Sequence, residues 1–213
     1  MTDMRQHTAE GKTSAAAAAP DVEMDQLRAG TWNLLGSLLG GAPDEKILGL
    51  LRAAGQPTDA GGDALAEAWT DLRRAAEAAR PDALAREYQD LFIGLGSGEV
   101  IPYASWYQTG SLMEKPLLDL RRELRALGVE RQAGVNEPED HAAAVCEVMA
   151  LVIADAAVSA DWQKDFHDDH VAPWMNDLFR DIREAPSAEF YQAVGALGGA
   201  FMDFERDYFA MQT

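Results

Sequence analysis

A single cysteine, Cys146, stands in the whole chain. No internal disulfide can form, and nothing points to an oxidising compartment. Cys146 sits in an apolar helical pattern without a base partner, which reads as a small buried hydrophobe rather than a nucleophile. Long apolar runs are missing too: no stretch reaches the ~18 residues that a membrane span needs. Basic residues are scarce, 18 Lys+Arg against 36 Asp+Glu, for a net charge of −18 and a pI near 4.4. A field of that sign repels phosphate backbones and anionic membranes and attracts basic partners, so nucleic acid is not an expected partner. The start, MTDMRQHTAEGKTSAAAAAP, has no leucine-rich segment behind a basic one. It reads as a disordered lead-in over residues 1–20, and a cytoplasmic location is expected.

What the sequence does contain is helix-forming residues. Hydrophobic residues make up 47% and charged residues 25% of the 213, the balance of a soluble globule with enough chain for a core. Ala, Leu, Glu, Arg, Asp and Met dominate, and alternating Val/Ile/Thr patterns are absent. An all-α fold is expected, one globular multi-helix domain over residues 21–213. Helices fit 22–39, with Leu27, Leu34, Leu35 and Leu38 on one face, then 44–53, 63–79 and 81–92. GQPTDAGG (55–62) reads as a loop. The longest irregular stretch is expected over 93–111, IGLGSGEVIPYASWYQTGS, a length usual for functional loops. Further helices fit 114–127, 138–158, 161–172, 174–184 and a last one capped by Ser187 and reaching Ala210.

Three clusters could carry chemistry. In NEPEDH, Pro138 suits a first helical position, and Glu139 and Asp140 suit the first turn, where the macrodipole favours negative charge. His141 continues the Val145, Val148, Met149, Val152, Ile153 stripe and belongs at the rim of the core. In DFHDDHVAPW, His167 and His170 lie three residues apart on one helix. Together with Asp140 and His141 they could supply metal ligands, which defines an alternative function as a metal-dependent helical enzyme. The glycines Gly94, Gly96 and Gly98 meet neither phosphate-loop pattern, because no strand precedes them and no Lys-Ser/Thr follows. Ser105 lacks a nucleophile elbow. The aromatics Tyr103, Trp106 and Tyr107 either pack onto the core or line a groove for a partner.

Read in order, EYQDLFIGLGSGEVIPYASWYQTGSLM (87–113), NEPEDHAAAVCEVMALV (136–152) and FHDDHVAPWMNDLF (166–179) resemble the TorD/DmsD family of cytoplasmic molybdoenzyme chaperones. The resemblance covers about residues 25 to 210, and its most specific element is E-P-x-D-H. It implies an all-helical, non-catalytic protein that binds the twin-arginine leader or the apo catalytic subunit of a molybdoenzyme until its molybdopterin cofactor is inserted. Carried over by position, the client-binding residues would be Tyr103, Ser105, Tyr107, Glu137, Pro138, Asp140 and His141, with Trp106 as a neighbour. His170 and Trp174 match a later motif of more architectural character. Leu95 and Ile101 stand where the family commonly has prolines, and the loop wording is nearest the formate-dehydrogenase branch. The resemblance alone leaves open a weak GTP or molybdopterin-cofactor contact, and a monomer or a domain-swapped homodimer.

Overall fold

The most apolar segment of the chain, AAAVCEVMALVIA, forms a helix in which nine of thirteen residues are buried. A helix apolar on almost every side must be covered on almost every side, and the rest of the fold supplies that cover. The computed structural model describes residues 18–53, 62–94, 97–129 and 137–212. Among them run ten α-helices: α1 (Ala18–Gly40), α2 (Glu45–Ala53), α3 (Gly62–Ala78), α4 (Pro81–Tyr88), α5 (Ala104–Thr109), α6 (Lys115–Ala126), α7 (Ala142–Ala154), α8 (Ala160–His170), α9 (Met175–Glu184) and α10 (Phe190–Met211). The all-α expectation holds. The lead-in expected over 1–20 lies outside the described residues as far as residue 17, and helix begins at Ala18. The expected loop 55–62 falls outside them except for Gly62.

α1 makes the most extensive packing against α7, and α10 is held between α9 and α3. Trp32, Leu35, Leu38 and Leu39 of α1 are fully buried. Leu27, expected on that face, is exposed. One turn before Trp32 the buried position belongs to Arg28, whose guanidinium forks onto the buried Glu205 of α10: Nε donates to Oε1 at 2.7 Å and an η-nitrogen to Oε2 at 2.9 Å. Trp32 Nε1 donates to the same carboxylate at 3.2 Å, and Asp25 accepts from the guanidinium at 2.9 Å. Tyr208 lies beneath the guanidinium at 4.0 Å. Burial alone would lower the Arg28 pKa, but the hydrogen bond and charge of Glu205 more than offset that and hold it above its ordinary value. Its spacing from Trp32 and Leu35 puts position 28 on the buried face, but nothing in α1 shows the partner that lets an arginine lie there.

The differences from the sequence reading that bear on the site fall at four places. The helix from Pro81 changes at Gln89 into one π turn, Gln89–Ile93, closed by Gly94 in a positive-φ conformation (φ 63°) whose N–H donates to Gln89 O. The stretch 93–111 is not wholly irregular, since α5 occupies its second half. α7 starts at Ala142 rather than Pro138 and ends at Ala154. Ser187 does not cap α10: Glu189 is the N-cap, while the Ser187 hydroxyl donates to Glu99 at 2.6 Å. At α5, at the start of α7 and at Ser187, a tertiary partner absent from the local sequence takes the hydrogen bond.

Candidate functional site

Tyr103 and His141 are both extended residues immediately before a helix, and they pair as an isolated antiparallel bridge. Ala104 N–H donates to Asp140 O at 3.0 Å, and Ala142 N–H to Pro102 O at 2.8 Å. α5 and α7 therefore start from one short ladder, which joins the aromatic loop to the E-P-x-D-H segment. The two rings meet edge-on with centroids 5.0 Å apart. His141 is the N-cap of α7, its Nδ1 accepting the Ala143 N–H at 3.1 Å, so the neutral ring carries its proton on Nε2. Burial lowers its pKa to about 4, against a smaller upward pull from Asp140.

Asp140 does not lie in the first turn of α7. It is fully buried, and its Oδ2 accepts the Ser105 N–H at 3.0 Å, satisfying one of the orphan donors at the start of α5. Ser105 is fully buried beside it, and its hydroxyl accepts the Met113 N–H at 3.2 Å across the turn into α6. Met113 has φ 62°, so this bond holds a backbone conformation that a side chain of its size rarely adopts. Tyr107 faces away from the bridge. Its hydroxyl donates to Asp181 at 2.9 Å, and its ring lies 5.8 Å from Trp174. Burial and Asp181 push the phenol's pKa up. Trp174 in turn donates through Nε1 to His170 O at 2.7 Å.

The bridge residues Tyr103 and His141 line a cleft of about 650 Å³. Tyr88, Phe92 and Ile93 form one wall, Leu124 and Val129 another, and Ala144, Glu147, Val148 and Leu151 of α7 a third. Glu137, Pro138 and Glu139 form its lip. Tyr103 OH donates to Glu137, and Arg121 of α6 forks onto Glu139 Oε2 through Nε at 2.8 Å and an η-nitrogen at 2.7 Å. Burial and the charge of Glu137 raise the Tyr88 phenol pKa.

The structure thus brings Tyr103, Glu137, Pro138 and His141 to one cleft. Asp140 and Ser105 lie buried behind it, Trp106 is exposed outside its lining, and Tyr107 belongs to the contact with α9. The lip keeps the carboxylates of Glu137 and Glu139, and Asp140 is no part of it. Tyr88, Ile93, Glu147 and Leu151 went unnoticed in the sequence. The one available signal was that Glu147 and Leu151 interrupt the buried pattern of α7 four residues apart, as positions on one exposed strip do.

The metal constellation is not assembled. Among the described residues no group of three or more His, Cys, Asp and Glu side chains could hold a metal. His141 spends Nδ1 on capping, His167 lies against Phe209 with Nδ1 3.3 Å from Asp168, and His170 packs on Phe166 with Nε2 3.2 Å from Glu123. Cys146 is buried within α7, and burial pushes its thiol pKa up. No helix among the described residues is long and apolar enough to cross a membrane.

Bridge, cleft and helical frame together define a helical protein with an open cleft beside the start of α7. The family model of the nitrate reductase delta subunit matches residues 58–180, more than half of the chain, including the bridge and the lip. The chain belongs to that family, which includes the TorD/DmsD proteins. Among its relatives are the chaperone protein TorD of Vibrio cholerae serotype O1, 29% identical over 133 residues, and that of Aliivibrio fischeri, 28% identical over 138 residues. These alignments cover 58% and 60% of this chain, and 60% and 64% of the relatives' own length. A crystal structure from Archaeoglobus fulgidus, described as a redox enzyme maturation protein, has the same fold. Its TM-score is 0.53 at 22% identity, over 86% of this chain and 94% of that one.

Proposed function

We propose that this protein is a non-catalytic maturation chaperone, which holds the twin-arginine leader or the apo catalytic subunit of a molybdoenzyme in the cytoplasm until the cofactor is inserted. A formate-dehydrogenase-type client is the one that the loop wording favours. The observation carrying the reading is the composition of the cleft: an aromatic and aliphatic trough with carboxylates at its lip. A guanidinium reaching Glu137 or Glu139 gains charge-assisted hydrogen bonds, each worth about 1.5–3 kcal/mol where partly desolvated. An apolar run following it can lie against Phe92, Ile93 and Leu151. The volume, within the ~300–1,000 Å³ usual for ligand sites, suits a few anchoring side chains rather than a whole leader. The family and the TorD relatives support the chaperone part of this reading.

Leu151 is 53% exposed, and Glu147 is exposed within the cleft, so Leu151→Glu and Glu147→Lys test the site without disturbing the core. Each is expected to weaken binding of a client leader peptide by about tenfold, one lost anchor of ~1.4 kcal/mol, with helical circular dichroism unchanged. Wild-type affinity in both variants would remove the cleft from the site. Capture of partners from the native host should recover a molybdoenzyme subunit, and its consistent absence would argue against the client class.

A further inference from the structure

The acidic lip already holds an arginine, and the chain itself supplies it. Arg121 points both Nε and one η-nitrogen at a single oxygen of Glu139, at 2.8 and 2.7 Å. Glu139 is 18% exposed and lines the cleft, while Arg121 comes from α6, the helix that contributes Leu124 to the same wall. The other cations of α6 find their partners within the helix: Lys115 and Arg122 on Asp119, and Arg125 on the carbonyl of Arg121. Of these α6 cations, Arg121 is the one that reaches across to the lip. With 37% of its side chain exposed, it is held by the carboxylate and yet accessible to exchange.

We infer that Arg121 is an internal occupant of the arginine-binding position at Glu139, which a client guanidinium must displace before that carboxylate can engage it. The inference rests on the client reading above and adds a specificity device to it. One forked guanidinium–carboxylate contact is exchanged for another of the same geometry, so the swap is close to neutral for an arginine. A lysine, with a compact ammonium and no planar fork, replaces the lost contact less well. A purely apolar segment leaves Arg121 where it is. The lip therefore discriminates by exchange, and overall affinity stays moderate enough for the client to be released.

The test uses full-length protein and a synthetic leader peptide bearing Arg-Arg before an apolar run, with binding measured by calorimetry at low salt. Arg121→Gln is expected to tighten binding about two- to fivefold, the worth of an exposed ion pair that no longer has to be broken. Arg122→Gln removes the same charge from the same helix but lies off the lip, and is expected to change affinity by less than half of that. Glu139→Gln is expected to weaken binding. The opposite signs separate exchange from a structural latch, because losing a latch would move Arg121→Gln and Glu139→Gln in the same direction. Equal effects of Arg121→Gln and Arg122→Gln, or a shared direction for Arg121→Gln and Glu139→Gln, would overturn the exchange while leaving the client reading in place. A wild-type protein that binds no such peptide overturns both.

Discussion

At the scale of residues, the E-P-x-D-H segment separates into different tasks. Asp140 is a buried acceptor for α5, His141 caps α7 and supports Tyr103, and Glu137 and Glu139 remain at the lip. Replacing Asp140 by Ala would therefore strand the Ser105 N–H, and would report on folding before it reported on binding. His141 also carries a pH dependence. Its pKa falls from 6.5 to about 4 on folding because burial disfavours the imidazolium. Between those values the unfolded chain binds a proton that the fold does not. Stability is thus full above pH 6.5 and falls as the pH drops toward about 4, by at most roughly 3 kcal/mol. His167, also lowered by burial, acts in the same direction. Urea unfolding at pH 7 and pH 5 should show a smaller loss for His141→Asn, which keeps a capping oxygen but cannot titrate. Equal losses in variant and wild type would mean that His141 is not the group responsible.

At the scale of elements, helix starts and close approaches decide the geometry. α9 and α10 pack so closely that a Cβ on Gly198 would lie 2.2 Å from two ring carbons of Phe179, itself 1% exposed and unable to retreat. Gly198→Ala should then cost about 1–3 kcal/mol through overpacking. Gly199→Ala, one residue on with nothing within 4 Å of the new methyl, should be neutral or gain up to ~1 kcal/mol of helix propensity. Thermal denaturation of the pair checks this, and a Gly198→Ala variant as stable as Gly199→Ala would contradict the described packing. At this scale the sequence was informative about where helices run and less so about how they begin. Pro138, Glu139 and Asp140 suit a first turn by every local rule, but they make only a single isolated turn, His141 N–H donating to Pro138 O, and the bridge to Pro102 and Ala104 holds His141 extended before the helix begins. A pairing partner more than thirty residues away leaves no local trace.

At the scale of the whole molecule, one ion pair joins the first helix to the last. Arg28 and Glu205 are separated by 177 positions and are 1% and 0% exposed. Such a pair is expensive to desolvate and more expensive still to break, since removing one partner leaves a buried charge. Glu205→Ala should cost about 3–5 kcal/mol, whereas the double replacement Arg28→Met with Glu205→Leu should lose much less. Chemical denaturation of single and double variants measures the difference, and a single variant losing under ~1 kcal/mol would show that the pair is not buried in solution. The net charge of −18 acts over the same whole. It attracts basic partners, and that attraction weakens with added salt.

Composition, periodicity and a few ordered motifs were enough for the all-helical class, the approximate helices and the family, because apolar spacing and turn residues act over neighbouring positions. Aromatic loop and E-P-x-D-H segment were both visible as separate stretches. Only the tertiary structure decided which of their side chains share a cleft and which lie behind it, and it alone set Arg121 on Glu139 and Arg28 on Glu205. Those outcomes depend on pairing between distant segments and on which polar groups find buried partners. Both are properties of the packed chain that no local window contains.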